Sequence, residues 1–397
     1  MDGVSVWAAV MEANVQKPRA TPKGELAVRR RYTGEVVYVY AYDVAYELTR
    51  QPITELLGQK VVPFGFDSSR RHPRHHFFYK PQMVRLPALE RTGPGGPVKL
   101  ERVVKLLPVG AISVTVRIPF EVDRLEDLVA FHDLQFDTGS LNMDVRLLAE
   151  AVHRELAPYA VRPNPSLVDE EAYTVFCLDA PLTTDGGQPM SAESWMQTHR
   201  REVAALLTQE ADIDLLSKQE SDESTRRYLS YYQNDLVVVD WDAALIVDDR
   251  ADFDETLYVV ELANLQLAEL EAYDRMLDDS LERSYRDLNR RNIRTRAHVL
   301  RELREIRIDM ARVSDELMNI TKFFGDWHLA RIYENLAARF HLGDWHHAVE
   351  EKLKTLDELY EILKHDQNNR WMLILEVTIV LLFVIDVVML FVGLKGP

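Results

Sequence analysis

The stretch EVVYVYAYDVAYEL, residues 35–48, places valine and tyrosine at close to alternate positions and holds no proline or glycine. Successive side chains of a strand point to opposite faces, so this pattern predicts a strand. Working outward, residues 98–120 read as a strand pair, with AISVTVRI at 111–118 the most regular alternation. Residues 75–84, 173–178 and 236–240 are further strand candidates. Residues 87–97, with Gly93-Pro94-Gly95-Gly96 at their centre, read as a turn or linker. Helices are expected over 124–134, 144–158 and 192–210, and the acidic stretch 212–227 reads as a loop. Strands with helices among them predict an α+β domain over 35–250, after a basic, loosely ordered lead-in at 1–34.

From about Glu255 the apolar period changes from 2 to 3.6. Leu303, Ile306, Met310, Val313, Leu317 and Ile320 step by three and four, and Val349, Leu353, Leu356, Tyr360 and Leu363 repeat the pattern. Leu270, Tyr273, Leu277, Leu281, Tyr285 and Leu288 are less regular but still one-sided. No proline interrupts the chain between Pro189 and Pro397. The expectation is a bundle of long, coiled-coil-like helices over 251–370. Within it, Gly325-Asp326-Trp327-His328 recurs as Gly343-Asp344-Trp345-His346. Glycine suits a helix stop, and Asp326 and Asp344 suit helix caps. Metal ligation with His341 and His347 is the rival reading, without a matching ligand motif.

Residues 371–392 are apolar except for Glu376, Thr378 and Asp386. At 1.5 Å per residue they span roughly 33 Å, enough for a hydrocarbon core of about 30 Å. A single transmembrane helix is therefore expected, with a short tail at 393–397. It implies a tail-anchored protein whose amino-terminal bulk is cytoplasmic, a bacterial inner membrane being favoured. Glu376 and Asp386 are intramembrane acids, lying about 80° apart around the helix and roughly 15 Å apart along it. Such acids usually face a partner helix or a cavity, and lipid exposure or an ion path are the alternatives.

Charge is unevenly placed in this chain of 397 residues and net charge −17. Residues 1–110 carry +7, residues 111–250 carry −16, and the remainder −8. The acidic middle argues against nucleic acid wrapping the whole chain. The run from Arg70 through Arg71, Arg74, His75 and His76 to Lys80 mixes cations with aromatics. It is a possible anion-binding patch for an anionic lipid or RNA, with an ordinary exposed loop as the alternative. The acidic cluster at 240–254 could hold a divalent cation or be a solvated loop. A lone cysteine, Cys177, excludes a disulfide framework and a four-cysteine zinc site. The phosphate-loop, dinucleotide, zinc-protease and serine-hydrolase signatures are absent. No catalytic residue, cofactor site or metal site is assigned.

The carboxyl-terminal part resembles the DUF155 family, which includes sporulation-related and "required for meiotic nuclear division" proteins. The resemblance covers about 255–392 and rests on Asn368, Leu375-Glu376, the aliphatic run to Ile385, Asp386, and Leu262-Ala263-Asn264 with Glu269. Trp345 and Glu350 depart from the family pattern. It implies a membrane-anchored, non-enzymatic protein that assembles into a complex. The expectation is thus a single-pass scaffold or assembly factor, self-associating into a homo-oligomer. A transporter resembling CorA magnesium channels is the rival, though that family needs two spans and a Gly-Met-Asn signature. A membrane-tethered RNA- or lipid-binding protein is the other.

Overall fold

The computed structural model describes residues 32–49, 51–64, 81–93, 96–167, 170–184, 188–288, 304 and 327–393. The expected lead-in at 1–34 lies almost wholly outside these residues, as do all six residues of the first heptad seam and the tail after Gly393.

Eight strands form one sheet: β1 (Tyr32–Asp43), β2 (Val62–Pro63), β3 (Gln82–Gly93), β4 (Gly96–Leu106), β5 (Ala111–Val122), β6 (Glu171–Asp179), β7 (Leu236–Val239) and β8 (Ala243–Asp248). Their order across the sheet is β7-β8-β6-β1-β5-β4-β3-β2. Every pair is antiparallel except β6 with β8. The helices are α1 (Leu141–Leu156), α2 (Ala192–Thr198), α3 (Arg200–Leu207), α4 (Lys218–Ser224), α5 (Phe253–Leu288), α6 (Trp327–Arg339) and α7 (Leu342–Gly393), with a 3-10 segment at Leu125–Phe131.

The opening stretch is the central strand, and both its faces are covered. Val36, Tyr38, Tyr40 and Tyr42 share a core with α1, α2, α3 and the 3-10 segment. Val37 and Val39 pack on the opposite face with α5, α6 and α7. The result is three layers, helices on each side of the sheet. The strand breaks at Val44, where the N–H groups of Val44 and Ala45 both donate to the Gly110 carbonyl at 3.0 and 2.9 Å. Gly34 is required for close approach: a Cβ there would lie 1.9 Å from the Cys177 carbonyl oxygen.

Three expectations differ from what forms. Residues 87–97 are not a linker: β3 runs through Pro87, and the hairpin turns only at Gly93–Gly96. Proline lacks the ladder N–H, and a register shift between Leu86 and Leu89 takes it out of the ladder. The acidic loop contains α4, whose amino end is capped by Ser217 Oγ accepting from Glu220 N at 3.0 Å.

The largest correction concerns the long helices. Every residue from Thr256 to Leu270 on α5 is buried. A helix that is enclosed all round belongs to a core rather than to a free coiled coil. Here the sheet lies beneath it and α6 and α7 on its other sides. The described residues form a helical layer on the sheet, not a separate coiled-coil bundle. Val349 and Leu356 of the second seam are spent on this layer.

Candidate functional site

On the α5 side the sheet is apolar under the helix and polar beyond it. Cross-strand neighbours Lys105 with Ser113, Val103 with Thr115, and Glu101 with Arg117 continue the rows that begin at Ala41, Val39 and Val37. Alternation alone puts them on this face. All of them but Ser113 line a groove of about 270 Å³ between β3, β4, β5 and α5.

Glu261 of α5 reaches down into it. Its carboxylate accepts from Lys105 Nζ and Ser113 Oγ, and from Thr115 Oγ1 at 3.4 Å. The Lys105 ammonium also lies 4.2 Å from the Phe64 ring centre and 5.6 Å from that of Tyr258. Nearer the start of α5, Arg117 bridges Glu35, at 3.2 Å, and Asp254. Burial raises the Glu35 carboxyl above its ordinary value, against the opposing pull of Arg117. Arg117 is pushed down by burial, but Asp254 and Glu35 outweigh this and its net shift is upward. Lys105 and Arg117 are therefore each paired with acids, and Arg85 and Arg102 also line the groove. Ser113 is 1% exposed, so it offers no accessible nucleophile. The arrangement ties α5 to β1, β4 and β5 and presents paired charges rather than a field of one sign.

The residues singled out in the sequence are scattered. Arg70, Arg71, Arg74, His75, His76 and Lys80 lie outside the described residues, and so does Asp326. Asp344 sits in the first turn of α7, with its Oδ2 2.9 Å from His341 Nδ1. The left-handed residue at this junction is His341, φ +51°, not Gly343. Phe340 beside it is buried, its ring 5.0 Å from that of Tyr173, and packing of this kind compensates backbone strain.

The acidic cluster is divided by β8, a strand missed in the sequence. Asp240 and Asp242 precede it, Asp248 is its last residue, and Asp249, Asp252 and Asp254 follow. Asp240 lies 3.6 Å from Arg339, while Asp254 joins Arg117. Among the described residues no three histidine, cysteine, aspartate or glutamate side chains converge as metal ligands.

Glu376 and Asp386 lie on the second half of α7. That helix is 52 residues long and changes character along its length. Leu342, Val349, Leu356 and Leu359 are buried in its first half. Within Asn368–Phe391 the most apolar window has mean hydropathy 2.8, and none of that window is buried. It is the one helix among the described residues long and apolar enough to cross a membrane.

The Lys105–Glu261 and Arg117–Asp254 contacts lay beyond sequence reasoning, since their members are up to 156 positions apart. Two signals pointed toward them. Ser113, Thr115 and Arg117 occupy alternate positions in AISVTVRI, and Glu261 interrupts an apolar run.

These features define a mixed α+β protein with a two-sided sheet, a groove holding two ion-paired clusters and one exposed apolar helix. The chain belongs to the family described as "Uncharacterized protein MJ0711, N-terminal domain", matched over residues 33–254. It is 23% identical over 220 residues to Uncharacterized protein MJ0711 of Methanocaldococcus jannaschii, a match covering 55% of this chain and 65% of that relative. The matched range includes Glu35, Lys105, Ser113, Thr115, Arg117 and Asp254 but ends before Glu261. This overturns the DUF155 resemblance. The family is carried by the sheet and its flanking helices, whereas that resemblance rested on helical and aliphatic patterns at 255–392.

Proposed function

We propose that the protein is a membrane-held, non-enzymatic scaffold: an α+β body presented at a bilayer by α7 and assembling with other copies or with partner proteins. The observation that carries this reading is the continuity of α7. Its first half is locked into the core through Val349 and Leu356. Its second half contains a window of mean hydropathy 2.8 with no protein packed on it. An uncovered window this apolar is costly in water and favourable in hydrocarbon. Self-association is assigned to this span, because the second heptad seam is occupied within the chain. Glu376 and Asp386 supply groups that gain from a neighbouring helix.

Removing residues 371–397 tests the reading. The full chain should sediment with membranes and the shortened chain should remain in the supernatant. A full chain that is soluble, or a shortened chain still bound after a high-salt wash, overturns it. Identification of proteins that copurify in mild detergent then reads out the scaffold role.

A further inference from the structure

A second cavity, of about 260 Å³, lies on the other face of the sheet, between the β3–β4 hairpin and α1. Leu89, Leu100, Val116, Leu141, Val145 and Leu148 form most of its wall. Its polar part consists of Arg91, Asp144 and Arg102.

Arg91 is satisfied. Its Nε and Nη2 reach the two Asp144 oxygens at 2.8 and 3.2 Å, a bidentate pair. Arg102 is not. Its Nη2 donates to the Pro87 carbonyl at 2.9 Å, and its Nε is buried with no partner. The bulge that accommodates Pro87 also turns that carbonyl toward Arg102. Among the described residues no carboxylate lies within ion-pair distance of it, whereas Arg117, Arg146 and Arg200 each have one. Arg102 also occupies a core register, between Leu100 and Val104, both fully buried. Burial, reinforced by Arg91, lowers its pKa, and the nearby Asp144 carboxylate, already paired with Arg91, opposes this only in part.

We propose that this cavity binds a small amphiphilic carboxylate, with the acid group on the Arg102 guanidinium and the hydrocarbon body against Leu89, Leu100, Val116 and the inner face of α1. A guanidinium matches a carboxylate in geometry as well as charge. An inorganic anion would leave the aliphatic wall empty, and a neutral hydrocarbon would leave Arg102 unpaired. At about 30 Å³ per water-sized group the cavity accommodates roughly eight or nine non-hydrogen atoms, which is the size of hexanoate. Leu147, 55% exposed, stands at its mouth on α1.

The test uses the full chain in lipid nanodiscs, with empty nanodiscs subtracted. Hexanoate, hexanol and acetate are titrated by calorimetry. Hexanoate should bind saturably and at least tenfold more tightly than either of the others. Arg102→Gln should weaken hexanoate at least tenfold and leave hexanol unchanged, while Arg102→Lys should retain part of the binding. Hexanoate binding no tighter than hexanol or acetate overturns the proposal on the parent protein alone, whether or not the variants fold. An unchanged affinity in a folded Arg102→Gln protein also overturns it.

Discussion

Lys352 Nζ on α7 lies 2.7 Å from Asp274 Oδ1 on α5, and its second acid, Asp278, is at the same distance. This contact marks where the helix that leaves the body is still fastened to it. Beneath it, Leu356 is 3% exposed in the core shared by α5 and α7. The half-exposed ion pair and the buried leucine differ greatly in weight. Lys352→Ala should cost about 0–1 kcal/mol of stability, while Leu356→Ala should cost about 2–5 kcal/mol. Denaturant unfolding of the full chain checks both, and equal losses would refute this account of the α5–α7 contact.

Glu376 and Asp386 are the proposed points of contact between copies. Replacing both with leucine should lower the mass of the detergent-solubilised protein measured by light scattering, removing about 0.6–2 kcal/mol per interhelical hydrogen bond. A parent already at the mass of one chain would remove self-association from the proposal.

Glu171 gives a pH dependence. Burial first, then Glu271, raises its carboxyl from 4.5 to about 7, with Arg275 opposing. Between these values the folded chain holds a proton that the unfolded chain releases. Its unfavourable contribution is therefore absent below about 4.5, grows as pH rises, and is complete above about 7. Glu171→Gln should raise the thermal midpoint at pH 8, and the difference from the parent should shrink as pH falls and close by about pH 4. A constant difference across that interval contradicts the assignment.

Cys177 is fully buried, and burial raises its thiol well above the ordinary value. It should not react with a water-soluble disulfide reagent in the native protein and should react with one equivalent in denaturant. Rapid labelling of the native chain would mean that α5 does not seal the sheet.

Much of the fold was legible wherever one face alternates against another. EVVYVYAYDVAYEL and AISVTVRI became the adjacent strands β1 and β5. Proline misled at residue 87, since a bulge can absorb the missing donor. In the helical half the spacing of Leu270, Tyr273 and Leu277 suggested a seam, yet Leu257, Val260, Ala263 and Leu267 bury the same helix in the sheet core. The apolar density of 256–270 on every face was the better signal. Neither the groove nor the Arg102 cavity could be read in advance. Lys105 meets Glu261, and Arg91 meets Asp144, only after the sheet has been closed by distant segments.

The burial of α5 also has a consequence for synthesis. Val39 on the central strand is covered by a helix whose first residue, Phe253, lies more than two hundred positions later in the chain. At about 5–20 residues per second, a nascent chain carries that half of the sheet uncovered for some tens of seconds. Val37 and Val39 wait longest, Val175 joins them part-way and Ile246 only at the end, and the ribosome has still to deliver the helix that covers them. Cys177 lies under the same lid, so the loss of its reactivity dates the moment at which the nascent protein stops being vulnerable to aggregation.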